Sequence, residues 1–249
     1  MTQRVRPVPS LPPIGLPPLA TALRGEVSDL LDVPTTLGIA VFGSVARGDY
    51  GPASDIELQV IDSAVDGHET RSFLRGGVFI HEHLAARVDV EQRRLERFRV
   101  RPPFADAWVV IDRDGQLTRL REVDREIAAA GRSPLSDEES ADLRRSLTSS
   151  LMDLEKRFVQ DENGGEDEDA AAILCHEAVR KALSAFYAKA RRWEAGPKRV
   201  LGDLEAFAPD LAPMVRRALR SGPGQPVEAV AVLDRVLRDL GGRWSFVEK

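Results

Sequence analysis

The spacing of apolar residues changes soon after the start of the chain. Residues 1–18 are rich in proline, and this composition predicts an extended arm. Over residues 18–31, apolar side chains such as Leu19, Leu23 and Val27 recur every three or four positions. This spacing puts them on one face of a helix, so we expect the arm to lead into an amphipathic helix.

Short segments with strand character follow this helix. In the clearest one, Asp55, Glu57 and Gln59 alternate with apolar residues, which predicts one polar and one apolar face. Glycines and other turn-forming residues separate the segments. The predicted strands cover residues 37–42, 54–61, 78–86, 87–91 and 108–111.

The strand patterns cease in the second half of the chain. Ser136 and Glu139 have the spacing of a capping box at the start of a long helix. The predicted helices cover residues 116–130, 137–160 and 170–193, with shorter ones between 198 and 240. We therefore predict an α+β protein, in which a small mixed sheet domain (residues 1–132) precedes an all-helical domain (residues 133–249).

Composition narrows the class of protein. The chain has 249 residues, a formal net charge of −5 and a pI of about 5.5. Such a balance does not favour a nucleic-acid partner, which usually meets a basic surface. No apolar run has the length needed to span a bilayer, and no secretory signal is recognisable. The single cysteine, Cys175, is typical of a reducing compartment, so we expect a cytoplasmic protein.

The strongest candidate chemistry lies between residues 41 and 60. A predicted strand ends at Gly43 and Ser44, and a helix can begin directly after it. Backbone N–H groups at such a junction favour phosphate, the hydroxyl of Ser44 adds a donor, and Arg47 lies on the first helical turn. These residues predict a phosphate-binding loop.

Two carboxylates follow this loop on the next predicted strand. Asp55 and Glu57 are two residues apart, so their side chains share a face and converge on one point. Paired carboxylates of this kind are suited to a hard divalent cation. Taken singly, each feature is common; their succession in one segment indicates a site for a metal ion and a phosphorylated ligand.

The pattern GSVARG…SDIE (residues 43–57) resembles the nucleotidyltransferase superfamily typified by DNA polymerase β. Within it, residues 51–57 are similar to kanamycin and lincosamide nucleotidyltransferases. The resemblance implies a two-metal Mg²⁺ site and a nucleoside triphosphate, ATP or another NTP. It also implies a third acidic ligand on a later strand, for which Asp89 is the best match. Glu91, on the same predicted face, is the alternative ligand, and a capping box is the alternative role of Asp89.

Two histidines flank a glutamate just before that position. His81 and His83 could bind a metal, but without a third ligand at a suitable spacing we interpret them as a polar strand face. The resemblance suggests a different role for Glu82, because kanamycin-type enzymes use a glutamate from a His-Glu pair in their antibiotic site. Glu82 is therefore a candidate substrate-binding residue.

The resemblance also implies a base for the acceptor hydroxyl. In kanamycin-type enzymes it comes from the first long helix of the helical domain, and Asp153 takes that place here. An ordinary solvated helix face is the alternative interpretation. These enzymes are dimers with shared active sites, so a homodimer is expected.

The resulting expectation is a nucleotidyltransferase that moves a nucleoside monophosphate from an NTP to a hydroxyl and releases pyrophosphate. The expected acceptor is a small molecule such as an aminoglycoside or a lincosamide. The alternatives are a macromolecular acceptor, either a tRNA or a protein, and a catalytically idle nucleotide-binding or antitoxin-type module.

Overall fold

The computed structural model describes residues 10–90, 101–161, 168–221 and 226–246. The chain forms two compact units that meet in sequence between Ala130 and Gly131. The predicted boundary after residue 132 lies two residues further along the chain.

The first unit combines a sheet with helices on both of its faces. Residues 10–16 have no regular structure, and residues 87–90 form a helical turn beyond the fourth strand. The elements are α1 (Pro17–Asp32), β1 (Thr36–Phe42), α2 (Gly43–Arg47), β2 (Ile56–Asp62), β3 (His68–Arg75), β4 (Val78–Ala85), β5 (Trp108–Asp112) and α3 (Gln116–Ala130).

The five strands lie in the order β3-β4-β2-β1-β5. Neighbouring strands are antiparallel except β2 and β4, which are parallel. The predicted mixed sheet is therefore confirmed. Strand β3 was not predicted, because its sequence HETRSFLR lacks a regular apolar face and most of its side chains are exposed at the sheet edge.

Each face of the sheet packs against a helix. On one face Leu23 of α1 lies in a cluster with Ile39, Leu58 and Ile80, all fully buried. On the other face Ala40, Ile61 and Ala85 pack with Leu117 and Leu120 of α3. This second face carries the polar side chains of β2.

The second unit is helical throughout its described residues. Its helices are α4 (Asp137–Asp161), α5 (Glu168–Lys189), α6 (Val200–Phe207), α7 (Leu211–Arg220) and α8 (Val227–Asp239). The predicted capping box is present, because Ser136 and Glu139 exchange side-chain-to-backbone hydrogen bonds of 2.8 and 3.1 Å. The core is built mainly from buried leucines, valines and alanines of α4, α5, α7 and α8. In the described part of the chain no helix is long and apolar enough to cross a bilayer.

Candidate active site

One end of the sheet brings together the two segments in which candidate residues were identified. Glu57 is paired with Phe42, the last residue of β1, and Gly43 follows directly. Asp55 immediately precedes β2, so it lies at the same end. Asp55 and Glu57 are both half-buried, which leaves their carboxylates accessible to a ligand.

Gly43 is fitted closely against Glu57. Its φ of +66° lies in the left-handed region, which favours glycine. A Cβ added there would lie 2.5 Å from Glu57 Oε2. Glycine at this position therefore allows the turn out of β1 and also lets the Glu57 carboxylate lie close to the backbone.

Hydrogen bonds of Ser54 connect α2 and the loop after it with the start of β2. The Ser44 hydroxyl donates to Ser54 Oγ at 3.3 Å, and the Gly51 N–H donates to the same oxygen at 2.9 Å. Ser54 precedes Asp55 directly, so these contacts hold Ser44 near the carboxylate pair. Arg47 is ion-paired with Asp49 at 3.2 Å and remains partly exposed.

Residues of the amino-terminal arm contact the same end of the sheet. The Gly15 N–H donates to Tyr50 Oη at 2.7 Å, and the Tyr50 hydroxyl donates to the Pro13 carbonyl at 3.3 Å. Further along the arm, the Ser10 carbonyl accepts a 2.8 Å hydrogen bond from Trp108 Nε1. Trp108 begins β5 opposite the end of β1. The arm is thus fastened to the loop after α2 and to β5.

His81 of β4 lies beside the carboxylates. The parallel register pairs it with Glu57, and its Nε2 is 3.6 Å from Asp55 Oδ2. Its Nδ1 is 2.8 Å from the hydroxyl oxygen of Ser72 on β3. The sequence placed His81 on a polar strand face, but it carried no sign that β4 runs parallel to β2.

Asp89 does not join this group. The strand predicted over residues 87–91 is wrong: residues 87–90 are helical, and Val90 N–H bonds to the Ala86 carbonyl at 3.4 Å. Strand β4 runs parallel to β2, so its end at Ala85 lies beside Ile61, away from Asp55. Asp89 comes after the end of β4 and therefore lies near the end of the sheet that is opposite to Asp55 and Glu57. The alternative ligand, Glu91, lies outside the described residues.

Glu82 also requires a correction, because it points to the other face of the sheet. Alternate residues of a strand point in opposite directions, and Glu82 is only 3% exposed on the face covered by α1. Burial raises the pKa of this carboxyl to about 7, a hydrogen bond to Glu26 raises it as well, and the charges of Arg71 and Arg75 oppose the change. Its surroundings are those of a buried structural carboxyl, and Asp55 and Glu57 lie on the opposite face.

Asp153 belongs to the second unit, where it is exposed on α4. Its suggested action on an acceptor hydroxyl stays a prediction.

The donor atoms at the site suit a divalent cation bound together with a nucleotide. Mg²⁺ is commonly held by one or two carboxylates and completed by phosphate oxygens and water. Asp55 and Glu57 provide such a pair, and the lack of a side chain at Gly43 lets the Glu57 carboxylate lie against the backbone there. Among the described residues no group of three or more His, Cys, Asp or Glu side chains is arranged to hold a metal ion.

Comparison with known proteins agrees with this geometry. Residues 21–97 match the family model described as "Nucleotidyltransferase domain", and this segment contains Gly43, Ser44, Asp55 and Glu57. The protein is therefore an enzyme of the transferase class, and the match supports nucleotide transfer as its general reaction.

No curated protein matches the chain. A similar solved structure is that of a nucleotidyltransferase-like protein from Exiguobacterium sibiricum 255-15, with 19% sequence identity. The similarity covers 88% of this chain and 74% of that one, with a TM-score of 0.39. The finer resemblance to kanamycin-type enzymes remains a prediction.

Proposed function

We propose that this protein transfers a nucleoside monophosphate from ATP or another NTP to a hydroxyl group of a small molecule. The observation that carries the proposal is the meeting of Gly43, Ser44, Asp55 and Glu57 at one end of the sheet. A phosphate-binding turn beside paired carboxylates is what a nucleoside triphosphate and its cations require.

Asp55 and Glu57 would hold Mg²⁺, and the turn at Gly43 with the short helix α2 would hold the triphosphate. When bound, the ions neutralise the phosphates and stabilise the entering and leaving oxygens. Ser44 can turn its hydroxyl from Ser54 toward a phosphate oxygen, since their 3.3 Å contact is a long one for two hydroxyls. Arg47 can exchange its exposed partner Asp49 for a phosphate, because surface ion pairs contribute little.

In the proposed reaction the acceptor oxygen bonds to the α-phosphorus. The bond between that phosphorus and the oxygen bridging to the β-phosphate breaks, and pyrophosphate leaves. The hydroxyl proton passes to a carboxylate, for which Asp153 is our candidate. Asp153 would act within its own chain or in a second copy, and we propose that the enzyme is a homodimer.

A cationic acceptor fits the charge of the protein. With a formal net charge of −5, the protein attracts an amino sugar more readily than a polyanion such as tRNA. We therefore favour an aminoglycoside or a lincosamide as the acceptor.

The proposal is tested by incubating the protein and Mg²⁺ with each of the four NTPs and a panel of these antibiotics. We expect pyrophosphate release and an antibiotic heavier by one nucleoside monophosphate, both lost in Asp55→Asn. A mass gain on added tRNA or protein would replace the small-molecule acceptor by a macromolecule. NTP binding without pyrophosphate under all conditions would identify an idle module and overturn the proposal.

A further inference from the structure

We propose that His81 is a metal ligand beside Asp55, and that this nitrogen donor makes the site prefer Mn²⁺ or Co²⁺ to Mg²⁺. The inference rests on the proposed function, since it concerns the cation that would accompany the nucleotide. It adds a residue that the sequence alone assigned to a polar strand face.

The backbone fixes the position of His81. Because β4 is hydrogen-bonded to β2 in parallel register, His81 is the direct neighbour of Glu57 and points to the same face. Both strands are anchored from below by fully buried residues, Ile56 on β2 and Ile80 on β4. The imidazole is therefore carried by a rigid part of the sheet.

The distance between His81 and Asp55 suits two ligands of one ion. The separation of Nε2 and Oδ2 is 3.6 Å, which is too long for a hydrogen bond. Two ligand atoms that each lie about 2.1 Å from an ion, at angles between octahedral and tetrahedral, are about 3.0–3.4 Å apart. A small side-chain rotation would close the difference.

Ser72 orients the ring for this role. Its hydroxyl oxygen lies 2.8 Å from Nδ1 and can accept a hydrogen bond from that nitrogen. In the tautomer that carries its hydrogen on Nδ1, the lone pair of Nε2 is on the side of Asp55. Histidine ligands in metal sites usually donate their second ring nitrogen to a neighbouring acceptor in this way. The ring also lies almost parallel to that of Phe79, at an interplanar angle of 7°.

The donor set explains the expected metal preference. Mg²⁺ strongly prefers oxygen ligands, whereas Mn²⁺ and Co²⁺ accept carboxylate and imidazole together. Asp55 and His81 supply one carboxylate and one imidazole donor to this ion, and the carboxylate of Glu57, the sheet neighbour of His81, can join them. Phosphate oxygens and water would complete the coordination.

The test measures binding of Mn²⁺ to the full-length protein, without nucleotide and with a non-hydrolysable ATP analogue. The free Mn²⁺ signal in electron paramagnetic resonance gives the affinity, and pulsed measurements detect coupling to an imidazole nitrogen. We expect this coupling in the wild type and its loss in His81→Ala and His81→Asp. Loss of a ligand should weaken Mn²⁺ binding by at least about tenfold, since even outer-shell partners of ligands contribute 10–100-fold.

His81→Asp should also let Mg²⁺ compete at least about tenfold more effectively against Mn²⁺, because the donors are then all oxygen. His83→Ala is the matched control. It lies on the same strand and face, near Thr70 and stacked on His68 at 5.9 Å, and should leave Mn²⁺ binding unchanged.

The outcomes separate this inference from the proposed function. Mn²⁺ binding that Asp55→Asn removes, but that shows no nitrogen coupling in the wild type, would overturn the role of His81 and leave the proposed function intact. Mn²⁺ binding that is insensitive to both Asp55→Asn and Glu57→Gln would overturn the metal site itself. The wild-type nitrogen coupling decides the case even if a His81 variant fails to fold.

Discussion

Replacing Gly43 by alanine tests how the turn after β1 supports Glu57. At φ +66° an alanine is strained by about 1–2 kcal/mol. The new Cβ would also lie 2.5 Å from Glu57 Oε2, and ordinary contact begins at 3.4 Å. The carboxylate must therefore retreat by about 0.9 Å, and a displacement near 1 Å at a reacting centre can reduce the rate about 100-fold.

Gly48 provides the matched control five residues later. Its φ of +82° imposes a similar backbone strain, yet an added Cβ would meet no described atom within 4 Å. Urea denaturation should show a comparable loss of about 1–2 kcal/mol in both alanine variants. Pyrophosphate release should fall about 100-fold in Gly43→Ala, equivalent to about 2.7 kcal/mol, and stay near wild type in Gly48→Ala. Equal activity in the two variants would refute the proposed coupling between Gly43 and Glu57.

Three further predictions follow from the site and its surroundings. Asp55→Asn and Glu57→Gln should each abolish transfer while circular dichroism stays unchanged; near-normal turnover in either would remove that residue from the metal site. Because the pKa of Glu82 is raised to about 7 in the folded protein, its contribution to stability is complete below about pH 4.5 and is lost as the pH rises through 7. Urea denaturation between pH 5 and 8 should therefore show the wild type losing up to about 3 kcal/mol relative to Glu82→Gln, and parallel curves would contradict this. Mixing inactive Asp55→Ala with inactive Asp153→Ala protein should restore activity if dimers share their sites, and sedimentation as a monomer only would exclude that arrangement.

Much of the first unit could be predicted because the order of polar and apolar residues in its strands follows which strand faces are buried. The alternation of β2 correctly placed Asp55 and Glu57 on a polar face above a buried one. The end of β1 at Gly43 was equally readable, since a glycine there marks the turn. These features depend only on residues that are neighbours in the sequence, so they can be recognised in one sequence alone.

Other features depend on partners distant in sequence. Residues 87–90 have the alternation of a strand, yet Val88 is 75% exposed and the segment turns into a helix once β4 has ended. His81 gained its position from the parallel pairing of β4 with β2, which no local pattern specifies. Glu82 was assigned by resemblance alone, and the direction of its side chain follows from where β4 lies in the sheet.

The position of β5 in the sheet has a consequence for synthesis on the ribosome. Strand β1 can pair with β2 as soon as both have emerged, but its other edge pairs with β5, which is made much later. The hydrogen bond from Trp108 to the Ser10 carbonyl also cannot form until β5 has been made. Until then a nascent chain presents the unpaired edge of β1, a surface prone to association with other chains. A ribosome that pauses before residue 108 therefore prolongs the time for which this edge is open to other chains.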